Sequence, residues 1–368
     1  MTGLRTFAYY RFLGTFRFLL AAMVVFHHFA ANAAPLPLTL LLRPYEVGSL
    51  AVLVFFCVSG FVIVEAAQTI YQNRPAAFMS NRLIRLFPHF LSALIMSVAL
   101  QGIFSAIGIL RLERMSPPHP DFSIGNLLMN LVGIIPPADK LTSYEFIEIA
   151  WAVRIEMTFY LVVAVSLLIS SRYSRFRFSA VLLMVLGGLL PTFVYSLFRT
   201  APPTFGFIAY FAYGGALYYA VQGSKVARLV AVACIAGMFA HFVAQPNMHP
   251  VFDYQRNLPV QLAILALLIV SFSALAMVNA RRFQAKDNQI GSVTYPLYMY
   301  HLVVLVAFAS WFANPSYLTF LVGMATSVAL ATVMTRILDP LIDRYRDRIR
   351  GRRLVETAKE QEIAAVAA

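Results

Sequence analysis

An all-α, polytopic bundle of about ten transmembrane helices is the fold class this sequence predicts, and three observations predict it. Apolar residues make up 60% of the 368 residues and mean hydropathy is +0.73, against the roughly 45–50% apolar content of a soluble domain. The apolar runs are long and uniform rather than short and alternating, which excludes an outer-membrane barrel and leaves helices. The basic residues also gather in every second gap between runs, as they do when one side of a membrane retains positive charge.

Taken in order, the apolar windows lie near residues 15–34, 49–71, 86–109, 148–170, 178–198, 205–221, 228–245, 258–279, 293–313 and 317–337. Arg5 and Arg11 precede the first window and no small-residue cleavage site follows it, so it reads as a retained helix rather than a removed signal peptide. With a cytoplasmic N-terminus, the cytoplasmic gaps collect Arg74, Arg82, Arg85, Arg172, Arg175, Arg177, Lys225, Arg228, Arg281, Arg282 and Lys286. The other side receives Arg43, Arg111, Arg114, Lys140, Arg199 and Arg256, several beside acidic residues. Both termini are thus expected in the cytoplasm, with a membrane domain over 1–340 and a basic, helical tail over 341–368 that suits anionic lipid headgroups. Residues 110–147, rich in proline, fall on the far side as a cleft rim or as an ordinary loop with a re-entrant or surface segment at Ile124–Ile135. Gly187-Gly188 and Gly214-Gly215 let helices approach closely and read as packing.

The formal charge of +13 does not indicate nucleic acid, because the basic residues are scattered between spans rather than gathered on one polar face. Cys57 and Cys234 both lie in apolar runs and imply neither a disulfide framework nor a zinc site. No paired metal ligands, glycine-rich phosphate loop or Gly-x-Ser-x-Gly elbow is visible.

What remains are polar residues inside hydrocarbon, which are costly and normally face a bundle interior or a wet cavity. Arg17 and His28 are eleven residues apart, about 20° on one helical face and ~16 Å along the axis, while His27 points about 80° away. His28 is therefore the candidate base; a histidine that only bonds a neighbouring helix is the alternative. Arg82 and Arg85, at i and i+3, can grip phosphates with planar guanidinium groups or simply fix topology. The run Trp151-Ala-Val-Arg154-Ile-Glu156-Met-Thr-Phe-Tyr160 buries a carboxylate with Tyr160 one turn on; a structural pair with Arg154 is disfavoured because i and i+2 point apart. Tyr295, Tyr298 and His301 cluster on the ninth span, where the tyrosines could equally be interface residues. Ser59-Gly60 offers a hydroxyl and a close backbone approach, and alone would be packing.

Taken together, Arg17-x10-His28, Phe55-Phe56-x-Val58-Ser59-Gly60-Phe61, Arg82-x2-Arg85 with Pro88, Trp151-x4-Glu156-x2-Phe159-Tyr160 and Tyr295-x2-Tyr298-x2-His301 resemble, in family order, the acyltransferase-3 family of integral membrane acyltransferases. The resemblance implies a multi-pass protein of the bacterial inner membrane that moves an acyl group, acetyl above all, from cytoplasmic acyl-CoA to a hydroxyl of a cell-envelope or exported saccharide. It makes His28 and Glu156 catalytic and Arg17, Arg82 and Arg85 contacts to the acyl-CoA. Ser59, Trp151, Tyr160, Tyr295, Tyr298 and His301 would line the site. Acyl-CoA enters as co-substrate, with no bound cofactor, no metal and no nucleic acid. Arg154 and Met157 depart from the commonly polar or acidic residues of the fourth-span motif. The chain ends soon after the tenth span, so transfer is expected within the bundle or with a partner's help. A transporter or flippase with a buried His/Glu relay is the rival, although no inverted repeat is visible.

Overall fold

Every element that the computed structural model builds on an apolar run is a helix, because a backbone in hydrocarbon has only itself to bond. The structure describes residues 13–30, 36–37, 42–111, 119–136, 141–173, 177–182, 207–244, 257–278, 283–312 and 316–351. Among the described residues there are eleven helices and no strand: α1 Leu13–His28, α2 Val47–Thr69, α3 Pro75–Ala106, α4 Ile124–Leu131, α5 Ala150–Arg172, α6 Ile208–Val221, α7 Lys225–Ala244, α8 Leu258–Met277, α9 Gln284–Ser292, α10 Thr294–Trp311 and α11 Tyr317–Arg350. Seven stretches, among them α9 and α10 counted as one, are long and apolar enough to cross a membrane. The shorter α1 and α6, of 16 and 14 residues, occupy two further predicted positions. Most of the predicted span 178–198, the pair Gly187-Gly188, Arg5, Arg11 and the tail beyond 351 lie outside the described residues.

Two helices run further than their apolar windows. Pro75 opens α3 in its first turn, where a missing N–H costs nothing, so Arg82 and Arg85 sit well inside the helix rather than at its start. α11 continues through Pro340 to Arg350 and stops at Gly351, whose φ is 72°. The Arg74 guanidinium donates to the carbonyls of Ile349 (2.6 Å) and Arg350 (2.9 Å), which satisfies two of the orphan acceptors at that terminus.

α2 is apolar all round and is the central helix, packed against α1, α5, α6 and α8. Its contact with α6 depends on having no side chain at two points. A Cβ on Gly60 would strike the Phe211 carbonyl and one on Gly214 the Cys57 carbonyl, so the second glycine pair packs as its sequence suggests. α7 and α8 present Leu229, Val232, Leu267 and Val270 outward, as lipid-facing helices do.

The helices alternate, so one end of the bundle gathers the start of α1, the start of α3, α9 and the end of α11. There Asp287 of α9 accepts from the backbone N–H of Gly14 (2.8 Å) and Thr15 (2.7 Å) and from the Thr15 hydroxyl (2.6 Å). A carboxylate at that point satisfies orphan donors and suits the positive end of the helix dipole. The opposite end carries α4 and residues 141–149. α4 is a surface helix with Ile124 77% exposed, while Asn126 and Asn130 turn inward and donate to the Tyr144 carbonyl at 3.0 and 2.9 Å. The chain after it enters the bundle: Tyr144, Phe146, Ile147 and Ile149 are buried, and Ser97, far along α3, donates to the Phe146 carbonyl at 2.8 Å. Irregular backbone survives inside a bundle only where its polar groups are met in this way.

Candidate active site

Inside the basic end, α1, α2, α3, α5 and α10 surround a narrow cavity, about 730 Å³ with the open solvent at its mouth included. Its wall carries Arg17, Arg82 and Arg85 with Glu156, Tyr160, Ser59, Tyr295 and Tyr298; Phe55 and Phe56 add apolar surface. Eight residues singled out in the sequence, drawn from five helices, thus share one wall. It opens past Arg17, Val62, Arg85 and Tyr295, which also line a wider polar vestibule of about 1520 Å³ bordered by Asp287, His89, Asp339, Arg346 and Arg350.

The charges in this cavity are arranged unusually. Arg82 is 5% exposed; its guanidinium lies 5.3 Å from the Phe78 ring centre and 5.6 Å from that of Tyr160, and its Nε has no hydrogen-bond partner. Cation–π contacts of this kind hold a guanidinium in place without neutralising it. Arg17 sits 5.9 Å over Phe55 and within electrostatic reach of Arg85, Glu156 and Arg82. Among the described residues no carboxylate forms an ion pair with Arg17, Arg82 or Arg85. Glu156 instead accepts from the Tyr160 hydroxyl at 2.7 Å, one turn away as the i, i+4 spacing requires. Arg154 leaves Glu156 alone: it pairs with Glu145 at 2.7 Å and donates to the Gly133 carbonyl at 2.8 Å. The geometric objection to an Arg154–Glu156 pair therefore holds.

Beyond the cavity lies a second constellation. His28 Nδ1 is 2.7 Å from His301 Nε2, with the rings edge to edge and nearly coplanar, 5.0 Å between centres and 8° between planes. The other nitrogen of His301, Nδ1, is 3.2 Å from the Leu297 carbonyl one turn back. His301 is fully buried, whereas His28 retains partial exposure at the end of α1, where the helix widens to π geometry at Phe29 and Ala30. Neither histidine is on the cavity wall; the Tyr298 ring separates them from it, 6.0 Å from His301 and 6.5 Å from Phe55. Trp151 is likewise behind the wall, packed on Phe56 and Phe207. The tyrosine hydroxyls bond inside the protein, Tyr295 to the Leu86 carbonyl (3.0 Å) and Tyr298 to that of Ile149 (3.3 Å), so neither ring is an interface residue.

His27 turns the other way, as helical geometry demands. Its Nε2 is 3.5 Å from Glu46, which also accepts from Ser49 at 2.9 Å, and its Cβ is so close to Gly48 that any side chain there would collide.

Sequence reasoning passed over two polar links at the basic end. His89, 2% exposed, lies 2.9 Å from Asp339 and 3.3 Å from the Tyr300 hydroxyl, which is itself bonded to Ser92. His89 follows Pro88 and Asp339 precedes Pro340; a titratable residue beside an intrahelical proline was the available signal. The Asp287 cap had none, since its partners are 272 and 273 residues away.

No curated protein and no solved structure matches the chain. The sequence model of the acyltransferase-3 family, described as an acyltransferase domain, matches residues 10–336. That span runs from α1 to the middle of α11 and takes in every side chain of the cavity wall and both bonded histidines, and the chain belongs to the acyltransferase-3 family of membrane acyltransferases.

Proposed function

We propose that this protein transfers a short acyl group, acetyl above all, from acyl-CoA entering at the basic end to a hydroxyl of a saccharide reached from the opposite side. One observation carries the reading: three arginines that form no ion pair with a carboxylate among the described residues surround a cavity that opens on a wide vestibule, a setting suited to a polyanion with a narrow arm. The diphosphate of CoA would rest on Arg82 and Arg85 with Arg17 beyond. Its arm would carry the thioester along Ser59, Glu156 and Tyr160 toward Tyr298. Phe55, Phe56 and Tyr298 narrow the inner end, which favours a small acyl group, and the Tyr298 ring would have to swing aside for the thioester to meet His28. On this reading the basic end faces the cytoplasm, in keeping with the charge asymmetry, and the membrane is the bacterial inner membrane.

In the chemistry, a neutral His28 takes the proton of the acceptor hydroxyl as its oxygen attacks the thioester carbonyl. The C–O bond forms, the C–S bond breaks, and the imidazolium returns its proton to the departing thiolate. A route through acyl-His28 gives the same balance in two steps. In either route Glu156, held by Tyr160, orients polar groups of the reactants at the wall.

Purified protein in detergent, given radiolabelled acetyl-CoA, tests this. Release of CoA thiol with labelled acceptor or hydrolysed acetate is the expected result. Vectorial uptake of a solute into vesicles without CoA release would establish a carrier instead. Orientation is checked by an impermeant thiol reagent on intact cells: a cysteine placed at Pro118 should be modified and one at Gly351 spared.

A further inference from the structure

The two bonded histidines are not interchangeable, and their hydrogen bonds say which does what. A backbone carbonyl can only accept, so the 3.2 Å contact to Leu297 puts the proton of neutral His301 on Nδ1. Its Nε2 is then a lone pair and must accept. The 2.7 Å contact from His28 Nδ1 therefore carries the proton of His28, whose own Nε2 is left with a lone pair. Assignment from the bonding network is the ordinary way to place these protons. Reversing either bond would set two lone pairs against each other, one of them in a wholly buried ring.

We propose that His301 is a positioning residue that locks His28 in the tautomer with Nε2 free, so that Nε2 of His28 is the one atom of the pair able to take the acceptor's proton. The proposal deepens the transfer reading given above and rests on it for the role of His28. It also explains a division the sequence left open between three histidines. When His28 gains a proton at Nε2, its Nδ1–H still donates to His301, now as a charge-assisted bond, and the ring does not turn. His301 itself has no free lone pair with which to act. His27, bonded toward Glu46 on the other face of α1, is outside the relay.

The tautomer can be read without any assay of activity. In full-length protein with 15N-labelled histidine in nanodiscs, ring nitrogen shifts distinguish protonated from unprotonated nitrogens, and loss of one signal in His28→Ala assigns that ring. In the parent protein, His28 is expected to show protonated Nδ1 and bare Nε2. His301→Leu removes the acceptor, so His28 should become a mixture of tautomers. kcat should fall about a hundredfold with KM for acyl-CoA unchanged. In His301→Gln the side-chain oxygen can accept from His28 Nδ1–H, so the tautomer and a larger share of kcat should return. A protonated Nε2 on His28 in the parent protein, or a spectrum of His28 indifferent to both substitutions, overturns the proposal. If His301→Leu does not fold, the parent and His301→Gln spectra still decide. A locked His28 with full transfer in His28→Ala would refute the catalytic reading and leave the lock standing.

Discussion

Arg154 and the trio Arg17, Arg82 and Arg85 are the same residue type in the same helical bundle, and their surroundings are opposite. Arg154 is closed off by Glu145 and the Gly133 carbonyl, and those bonds tie α5 to the inserted chain at the far end of the bundle. The trio is held by aromatic rings and geometry, with no ion pair among the described residues, around a cavity. A paired guanidinium inside a membrane protein is a strut, while an unpaired one lining a space keeps its charge and its donors uncommitted. The same contrast separates the two ends: Asn126, Asn130 and Ser97 satisfy the buried loop at one, and arginines are left open at the other.

The largest effect should come from the histidine that the cavity leads toward. His28→Ala is expected to lower kcat by about a hundredfold or more while CoA binding by calorimetry is kept, because the proposed base and the proposed phosphate site are separate. His27→Ala, acting on the Glu46 side, should retain substantial transfer. Equal loss in both would mean that α1 is only packing there.

Next come the open arginines. On the proposed reading, Ala in place of Arg82 or Arg85 would delete charge-assisted bonds to CoA worth about 1.5–3 kcal/mol each, so the Kd for CoA should rise roughly ten- to hundredfold per residue. Lysine keeps the charge and loses the planar fork, and should fall between. A double Ala variant, correctly inserted, that binds CoA like the parent would erase the contrast with Arg154.

The strut should answer to a different measurement. Arg154→Ala removes the ion pair with Glu145; as that carboxylate is 23% exposed, the cost is about 1–3 kcal/mol rather than the full buried-pair value. A lower Tm with unchanged CoA affinity per folded molecule is the expected pair of results. Weakened CoA binding at unchanged Tm would instead place Arg154 in the site.

The smallest effect lies at the surface beside α4. Hydrogen bonds from the Ser143 hydroxyl and then from the Ser123 backbone hold the Asp121 carboxyl below its usual 3.8. A depressed folded value stabilises above the unfolded pKa, and that contribution disappears as pH falls through the folded value. Asp121→Asn should therefore melt slightly below the parent at neutral pH, with the gap closing in acid.

Much of the site was legible because its parts obey helical arithmetic. Glu156 and Tyr160 meet one turn apart, His27 faces away from His28, and Arg154 cannot bend to Glu156; each follows from residue spacing on one helix. Helix ends were less legible: α3 and α11 continue past their apolar windows because Pro75 and the Arg74 cap support turns that hydropathy does not report.

By itself, then, the sequence determined that the chain is a membrane bundle, where its long apolar helices lie and which polar residues stand on their inner faces, since hydropathy and the helical period are local properties. Only the tertiary structure decided what those residues meet. It joined His28 to His301 across 273 positions, left three arginines open while closing a fourth, set Tyr298 between cavity and histidines, and folded residues 141–149 into the bundle. Partners on different helices are chosen by packing, and no spacing along one chain encodes which side chain of a distant helix will lie within 3 Å.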